Sequence, residues 1–135
     1  MQTTVRRLGP GDDAVVRKLA EGEAQTALLA DDATIFLVAF HEGEPVGFVF
    51  GYELPRRHGA PSILFVYELD VDEGFRCQGI ATRLLSELAG HARARGITQG
   101  FVLTEPDNAA ANALYRSLGG ERFDSVLWDF RYTAY

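Results

Sequence analysis

A chain of 135 residues with 47% hydrophobic content has the size of one compact domain and is long enough to bury a real core. Its formal charge of −6, with arginines scattered along the chain, leaves no basic stripe for nucleic acid, and no apolar run approaches the roughly 18 residues of a membrane span. A single cysteine, Cys77, rules out a disulfide framework, and His41, His58 and His91 lie too far apart in sequence to suggest a metal site. With no apolar leader at the N-terminus, the expectation is a soluble cytoplasmic protein. Its acidity suits a cationic small molecule as partner.

The elements follow one another without linker, repeat or low-complexity segment, so residues 1–135 read as a single domain. TTVRRL (3–8) reads as a short strand. GPGDD breaks it, and Asp12 or Asp13 begins a helix through AVVRKLAEGE. TIFLVAF (34–40) and PVGFVFGYEL (45–54) are rich in β-branched and aromatic residues and are joined by HEGE, which predicts a hairpin. ILFVYELDV (63–71) is a third strong strand. Ile80, Leu84, Leu88 and Ala81, Leu85 recur at helical spacing, predicting a helix from about Gln78 to Arg95 that Gly96 terminates. ITQGFVLT (97–104) reads as a strand. PDNAAANALYRSLGG reads as a helix capped by Asp107 or Asn108 and stopped at Gly119–Gly120. ERFDSVLWDFRY holds one or two closing strands. The order predicts a mixed α/β sheet flanked by helices.

The stretch DVDEGFRCQGIATRLL (70–85) carries the first chemical signal. A strand feeding a helix start presents backbone N–H groups without partners, at the positive end of the helix dipole. Small residues at Gly79 and Ala81 would let a phosphate approach them, with charge from Arg76 and Arg83 and a hydroxyl from Thr82. The same glycine could equally ease packing alone. A Walker loop is excluded because no Gly-Lys-Ser/Thr occurs, and G-x-G-x-x-G is absent.

Two motifs then coincide. Arg76-Cys77-Gln78-Gly79-Ile80-Ala81 resembles the signature of the GNAT N-acetyltransferases: Arg or Gln, two residues, Gly, one residue, then Gly or Ala. Asn108-Ala109-Ala110-Ala111-Asn112-Ala113-Leu114-Tyr115-Arg116-Ser117-Leu118-Gly119 resembles their C-terminal motif at the right separation. The resemblance implies the GNAT fold, a mixed central sheet whose fourth and fifth strands splay apart, and acetyl-CoA as cofactor. It implies that Arg76, Cys77, Gln78, Gly79, Ile80, Ala81 and Thr82 hold the pyrophosphate. It further implies that main-chain groups of Leu69, Asp70 and Val71 meet the pantetheine arm and acetyl carbonyl. Asn108, Ala111 and Tyr115 complete the implied cofactor site, with Tyr115 toward the thioester sulfur as general acid.

Direct acetyl transfer to an amine needs a proton removed, an oxyanion stabilised and a thiolate released. Strand alternation puts Glu68 and Asp70 on one face and Tyr67, Leu69 and Val71 on the other. Two carboxylates beside the thioester could attract an ammonium and accept its proton. Glutamate ordinarily titrates near about 4.3, so burial or Asp70 would have to raise it. A strand-four N–H, at Leu69 or Asp70, would stabilise the oxyanion. Cys77 sits at a variable motif position and is no nucleophile.

Within the family the chain looks most like aminoglycoside 3-N-acetyltransferases of the AAC(3)-I type. A polycationic aminosugar would suit a mouth lined by Glu68, Asp70, Glu105, Asp107 and Asp129. The segment 9–33, expected to wall the acceptor cleft, is shorter than in those enzymes. The alternatives are another amine (a polyamine, an amino acid, a protein lysine or N-terminus) and a catalytically silent acyl-CoA-binding domain. The aromatic C-terminus, Phe123, Val126, Trp128, Phe130, Tyr132 and Tyr135, suggests a homodimer.

Overall fold

The computed structural model describes residues 3–20 and 22–134. They fall into two compact units, Met1–Leu103 and Thr104–Tyr135.

In the first unit β1 (Thr3–Arg7), β2 (Thr34–His41), β3 (Glu44–Leu54), β4 (Ile63–Val71) and β5 (Gly100–Val102) form one sheet in the order β1-β2-β3-β4-β5. Neighbours from β1 to β4 are antiparallel, whereas β4 and β5 are parallel. A parallel pair needs a crossover, and α2 (Ile80–Ala94) supplies it. The β2–β3 hairpin turns on Glu42 and Gly43, both left-handed at φ 52° and 81°, as a two-residue loop between twisted strands requires.

Alternation along β2 and β3 divides the core between the two faces of the sheet. Ile35, Leu37, Ala39 and Val49 pack with Leu64, Val71 and the α2 residues Ile80, Leu84, Leu88 and Ala92. Burial of Leu84 and of Leu88 stabilises the fold by about 1.5–3 kcal/mol each. The helix stops where Gly96 takes φ 78°: the Ile97 N–H reaches the Ala92 carbonyl and the Gly96 N–H that of Arg93, the paired bonds of a glycine-terminated helix. On the opposite face Phe36, Val38 and Phe50 pack with Leu8, with Val16 of α1 (Asp13–Leu19), and with Leu29 of a 3₁₀ turn at Thr26–Ala30. Helix α1 and the 3₁₀ turn at Thr26–Ala30 therefore form a short helical wall over that face. Asp12 stands at the α1 cap position, but its carboxylate accepts from the Gly9 N–H and from Arg6 instead of from the helix.

In the second unit α3 (Ala109–Ser117) starts where Asn108 accepts from the Ala111 N–H at 3.1 Å. It ends where Gly119 takes φ 87° and the Gly120 N–H reaches the Tyr115 carbonyl at 2.9 Å. The closing strands expected over ERFDSVLWDFRY are absent among the described residues. Only a 3₁₀ turn at Tyr132–Ala134 follows α3. Alternation gives a segment a face to bury, but a strand exists only where another edge takes its ladder hydrogen bonds, and none of the five strands pairs with this one. Phe123, Val126, Trp128 and Phe130 are consequently exposed. Tyr135 lies outside the described residues.

Candidate active site

Two irregularities in the sheet create the site. The first is the shortness of β5. It pairs with β4 only from Leu64↔Gly100 to Val66↔Val102, and β4 then runs on alone to Val71. The outer edge of β4 is therefore open at its C-terminal half, the expected splay. The second is a bulge. Phe50 pairs with Glu68 but Gly51 pairs with Val66, so Tyr67 is an extra residue on β4.

The bulge corrects the face assignment made from alternation. Leu64, Val66, Leu69 and Val71 all lie on the α2 face. Tyr67 does not join them: its ring packs 5.6 Å from those of Phe50 and Tyr52, on the face that also carries Glu68 and Asp70. An extra residue resets a period of two, and simple alternation fails across it.

Ladder phase decides which main-chain groups are available. The Asp72 N–H donates to the Val46 carbonyl at 2.8 Å. Counting back by twos, Asp70 and Glu68 direct their main chain at β3, and Leu69 and Val71 turn theirs to the open edge. At Val71 both groups are taken. Its N–H donates to Asp70 Oδ1 at 3.0 Å and its carbonyl accepts from Arg76 Nε at 2.9 Å. Leu69 is left with an amide and a carbonyl that have no ladder partner among the described residues. Of the two N–H groups expected to serve an oxyanion, that of Asp70 faces the wrong strand.

Beyond Val71 the loop turns through Cys77 at φ 61° and Gly79 at φ 81° before α2 begins at Ile80, two residues later than its periodicity suggests. Gly79 offers no side-chain cap, so the N–H groups of Ile80, Ala81 and Thr82 are without helical partners. The cleft beside this helix start, about 510 Å³, is lined by Thr3, Thr4, Gln78, Gly79, Ile80 and Arg83. Nothing lies within 4 Å of where a Cβ on Gly79 would stand. An uncrowded row of amides at a helix start fits a pyrophosphate. The two arginines expected to add charge have partners of their own. Arg76 is tied to Val71 and stands 3.7 Å from Asp70, and Arg83 donates to the Thr3 carbonyl and pairs with Glu87 at 3.3 Å.

A second cavity, about 420 Å³, opens between the helical wall and the sheet. Val16, Leu19 and Leu28 form the wall, Phe36, Phe48 and Phe50 the floor, and Glu68 and Asp70 stand with Gln25 as its polar lining. The floor rings are stacked, Phe36 lying 5.0 Å from Phe50 and 5.7 Å from Phe48. Glu68 is exposed, and its carboxylate has no hydrogen bond or ion pair among the described residues. Its charge is felt by Tyr52, whose phenol is pushed above its ordinary value first by burial and then by Tyr67 and Glu68. Sequence reasoning found the carboxylates and missed the floor, although Phe48, Phe50 and Tyr52 at alternate positions of GFVFGYEL were the available signal.

The remaining expected site residues belong to the second unit. Asn108 Oδ1 caps α3, and the Asn112 amide donates to the Glu105 and Asn108 carbonyls, fixing the approach to the helix. Tyr115 is half-buried, and burial pushes its phenol above the ordinary value. Ala111 lies on the first turn of α3. Asp107 is exposed, and Asp129 pairs with Arg131 at 2.7 Å.

The acetyltransferase (GNAT) family profile matches residues 9–119, across both units. The chain belongs to the acetyltransferase (GNAT) family. Among its relatives, the L-2,4-diaminobutyric acid acetyltransferase of Streptomyces coelicolor is 38% identical over 91 residues, 67% of this GNAT chain and 52% of that protein. The chain spans about half the length of the curated relatives it matches. An aminoglycoside acetyltransferase from an uncultured soil metagenomic sample superposes with a TM-score of 0.90 at 29% identity, covering 97% of this chain and 99% of that one. Aminoglycoside N-acetyltransferase AAC(6')-Iy in complex with CoA superposes at 0.81 with 17% identity, covering 96% and 95%, a likeness of fold alone. The expected fold is thus found, whereas the resemblance to the 3-N group specifically is not distinguished from one to 6′ enzymes.

Proposed function

We propose that residues 1–135 form one acetyltransferase domain that moves acetyl from acetyl-CoA to the primary amine of a small cationic acceptor. The observation that carries this reading is the open edge of β4. It places one free main-chain amide, at Leu69, on the same strand as an unpaired carboxylate, Glu68, and leads into the uncapped start of α2. Acetyl-CoA supplies an activated acetyl thioester. The chain's contribution is to bind and orient. The N–H groups of Ile80 to Thr82 hold the pyrophosphate, with Gly79 leaving room and Arg76, Cys77 and Gln78 shaping the loop. The Leu69 amide and carbonyl take the arm as an added strand, and its N–H polarises the acetyl carbonyl. Glu68 anchors the ammonium and orients the water that carries its proton to solvent, while Asp70 holds the end of β4 in shape.

Tyr115, with Asn108 and Ala111 on the same helix start, is assigned to the thioester end by the family motif. With its phenol raised by burial, Tyr115 stays protonated across neutral pH and acts as a hydrogen-bond donor to the sulfur. Tyr115→Phe is expected to lower kcat by about 10²-fold, within the range for such groups. The pH profile should show no limb from Tyr115 below about pH 10; a wild-type limb near pH 8 that vanishes in Tyr115→Phe would contradict this.

The aminoglycoside form of the reading, acetylated at 3-N or 6′, draws support from the metagenomic neighbour and from the unpaired carboxylate of Glu68. The test is CoA release from acetyl-CoA with gentamicin, kanamycin, sisomicin, spermidine and a lysine peptide. Turnover of at least one amine supports the reading, and turnover confined to aminoglycosides supports its finer form. Tight acetyl-CoA binding with no turnover of any amine would replace it by a silent acyl-CoA-binding domain. A homodimer is proposed as well, supported by the exposed Phe123, Val126, Trp128 and Phe130. Light scattering should give about twice the monomer mass, and a monomer at working concentration would end that idea.

A further inference from the structure

The cavity over the aromatic floor has an uneven chemistry. Its carbon-lined surface, Val16, Leu19, Leu28 and the three stacked phenylalanines, offers no hydrogen-bond partner. The charged groups in its lining are Glu68 and Asp70, both negative, and no lysine, arginine or histidine lines it among the described residues. Arg76 stands 3.7 Å from Asp70. Its Nε is held by the Val71 carbonyl, and it stands outside the lining.

An acceptor entering here meets two requirements. Its ammonium finds a carboxylate, Glu68, that nothing else neutralises, and an aromatic floor whose ring faces also attract cations. An acceptor carboxylate would instead be placed beside two like charges, over apolar walls, with no cation to receive it.

On the acetyltransferase reading above, in which this cavity takes the acceptor, its lining also sets which amine can enter. We infer that it selects amines that present a C–H face to Phe36, Phe48 and Phe50 and bear no carboxylate, rejecting free amino acids. The sign of charge in the lining separates this chain's acceptor from the diaminobutyric acid that names its Streptomyces relative, despite 38% identity. Glu68 is the specificity-determining residue, because it is the carboxylate of the pair without a partner of its own.

The test uses matched pairs that differ by one carboxylate: tyramine against tyrosine, and 1,3-diaminopropane against 2,4-diaminobutyrate. Calorimetric binding in the presence of CoA is measured alongside CoA release from acetyl-CoA. Each amine is expected to bind at least about 30-fold tighter than its amino acid, and the ratio to fall several-fold in Glu68→Gln, as removal of a nearby like charge predicts. Equal binding within a pair, or a ratio unchanged in Glu68→Gln, overturns the inference. Selective binding without CoA release from any amine leaves the inference standing and removes the catalytic reading, so the two failures are told apart.

Discussion

Gly79→Val is expected to weaken acetyl-CoA binding by about 100-fold or more while leaving a folded protein, as titration calorimetry and thermal unfolding would show together. Two effects combine at this position. Gly79 holds φ 81°, where an L side chain costs about 1–2 kcal/mol and a β-branched one no less. The strain alone would lower the melting temperature by only a few degrees in a chain of this size. The larger consequence follows from space: nothing lies within 4 Å of the added Cβ, and Gly79 itself lines the cleft at the α2 start, where the Ile80, Ala81 and Thr82 amides lack helical partners. A pyrophosphate needs direct approach to those amides, and a branched side chain stands in its way. Gly74→Ala is the control, since that glycine has an ordinary φ and open surroundings. Gly79→Val with unchanged acetyl-CoA affinity would move the pyrophosphate elsewhere.

Gly51→Ala is the second large effect, expected on stability. A Cβ here would stand 2.8 Å from the Phe65 carbonyl oxygen and 3.3 Å from a Leu64 methyl. The oxygen belongs to the backbone of the neighbouring strand, so it cannot swing aside as a side chain would. Gly51 faces the bulge, pairing with Val66 just before Tyr67 is squeezed out of register. Restoring ordinary spacing requires β3 and β4 to part at the point that aims Tyr67 and Glu68. The expected loss is about 2–4 kcal/mol, read from denaturant unfolding with the slope unchanged. A change below about 0.5 kcal/mol would mean that the strands are not held this close in solution.

The two substitutions depend on different kinds of information. Gly79 was legible as a helix-start glycine because its neighbours Arg76, Ala81 and the following i, i+4 leucines form one short contiguous pattern. Gly51 was not legible, since its neighbour Phe65 is distant in sequence and its crowding arises only from the register of β3 against β4. The same division holds for the carboxylates. Glu68 stood out as an acidic residue in an apolar strand, but its freedom and the pairing of Asp70 with Arg76 appear only once the loop folds back. Arg76 was expected to serve a phosphate, yet the Val71 carbonyl, five residues away, holds its Nε.

The features legible in the chain are local ones. Asn108 and Gly119 delimit α3, Gly96 ends α2, and Glu42–Gly43 turns the hairpin. Each rests on contacts within a few residues, where conformational preference and periodicity act directly. Others arise only between segments: the bulge at Tyr67, the ladder phase that leaves Leu69 open, the aromatic floor under Glu68, and, among the described residues, the lack of a partner strand for residues 121–132. These depend on which edges meet and in what register. A hydrogen bond or a ring stack between strands is a property of two segments at once, and neither segment alone encodes it.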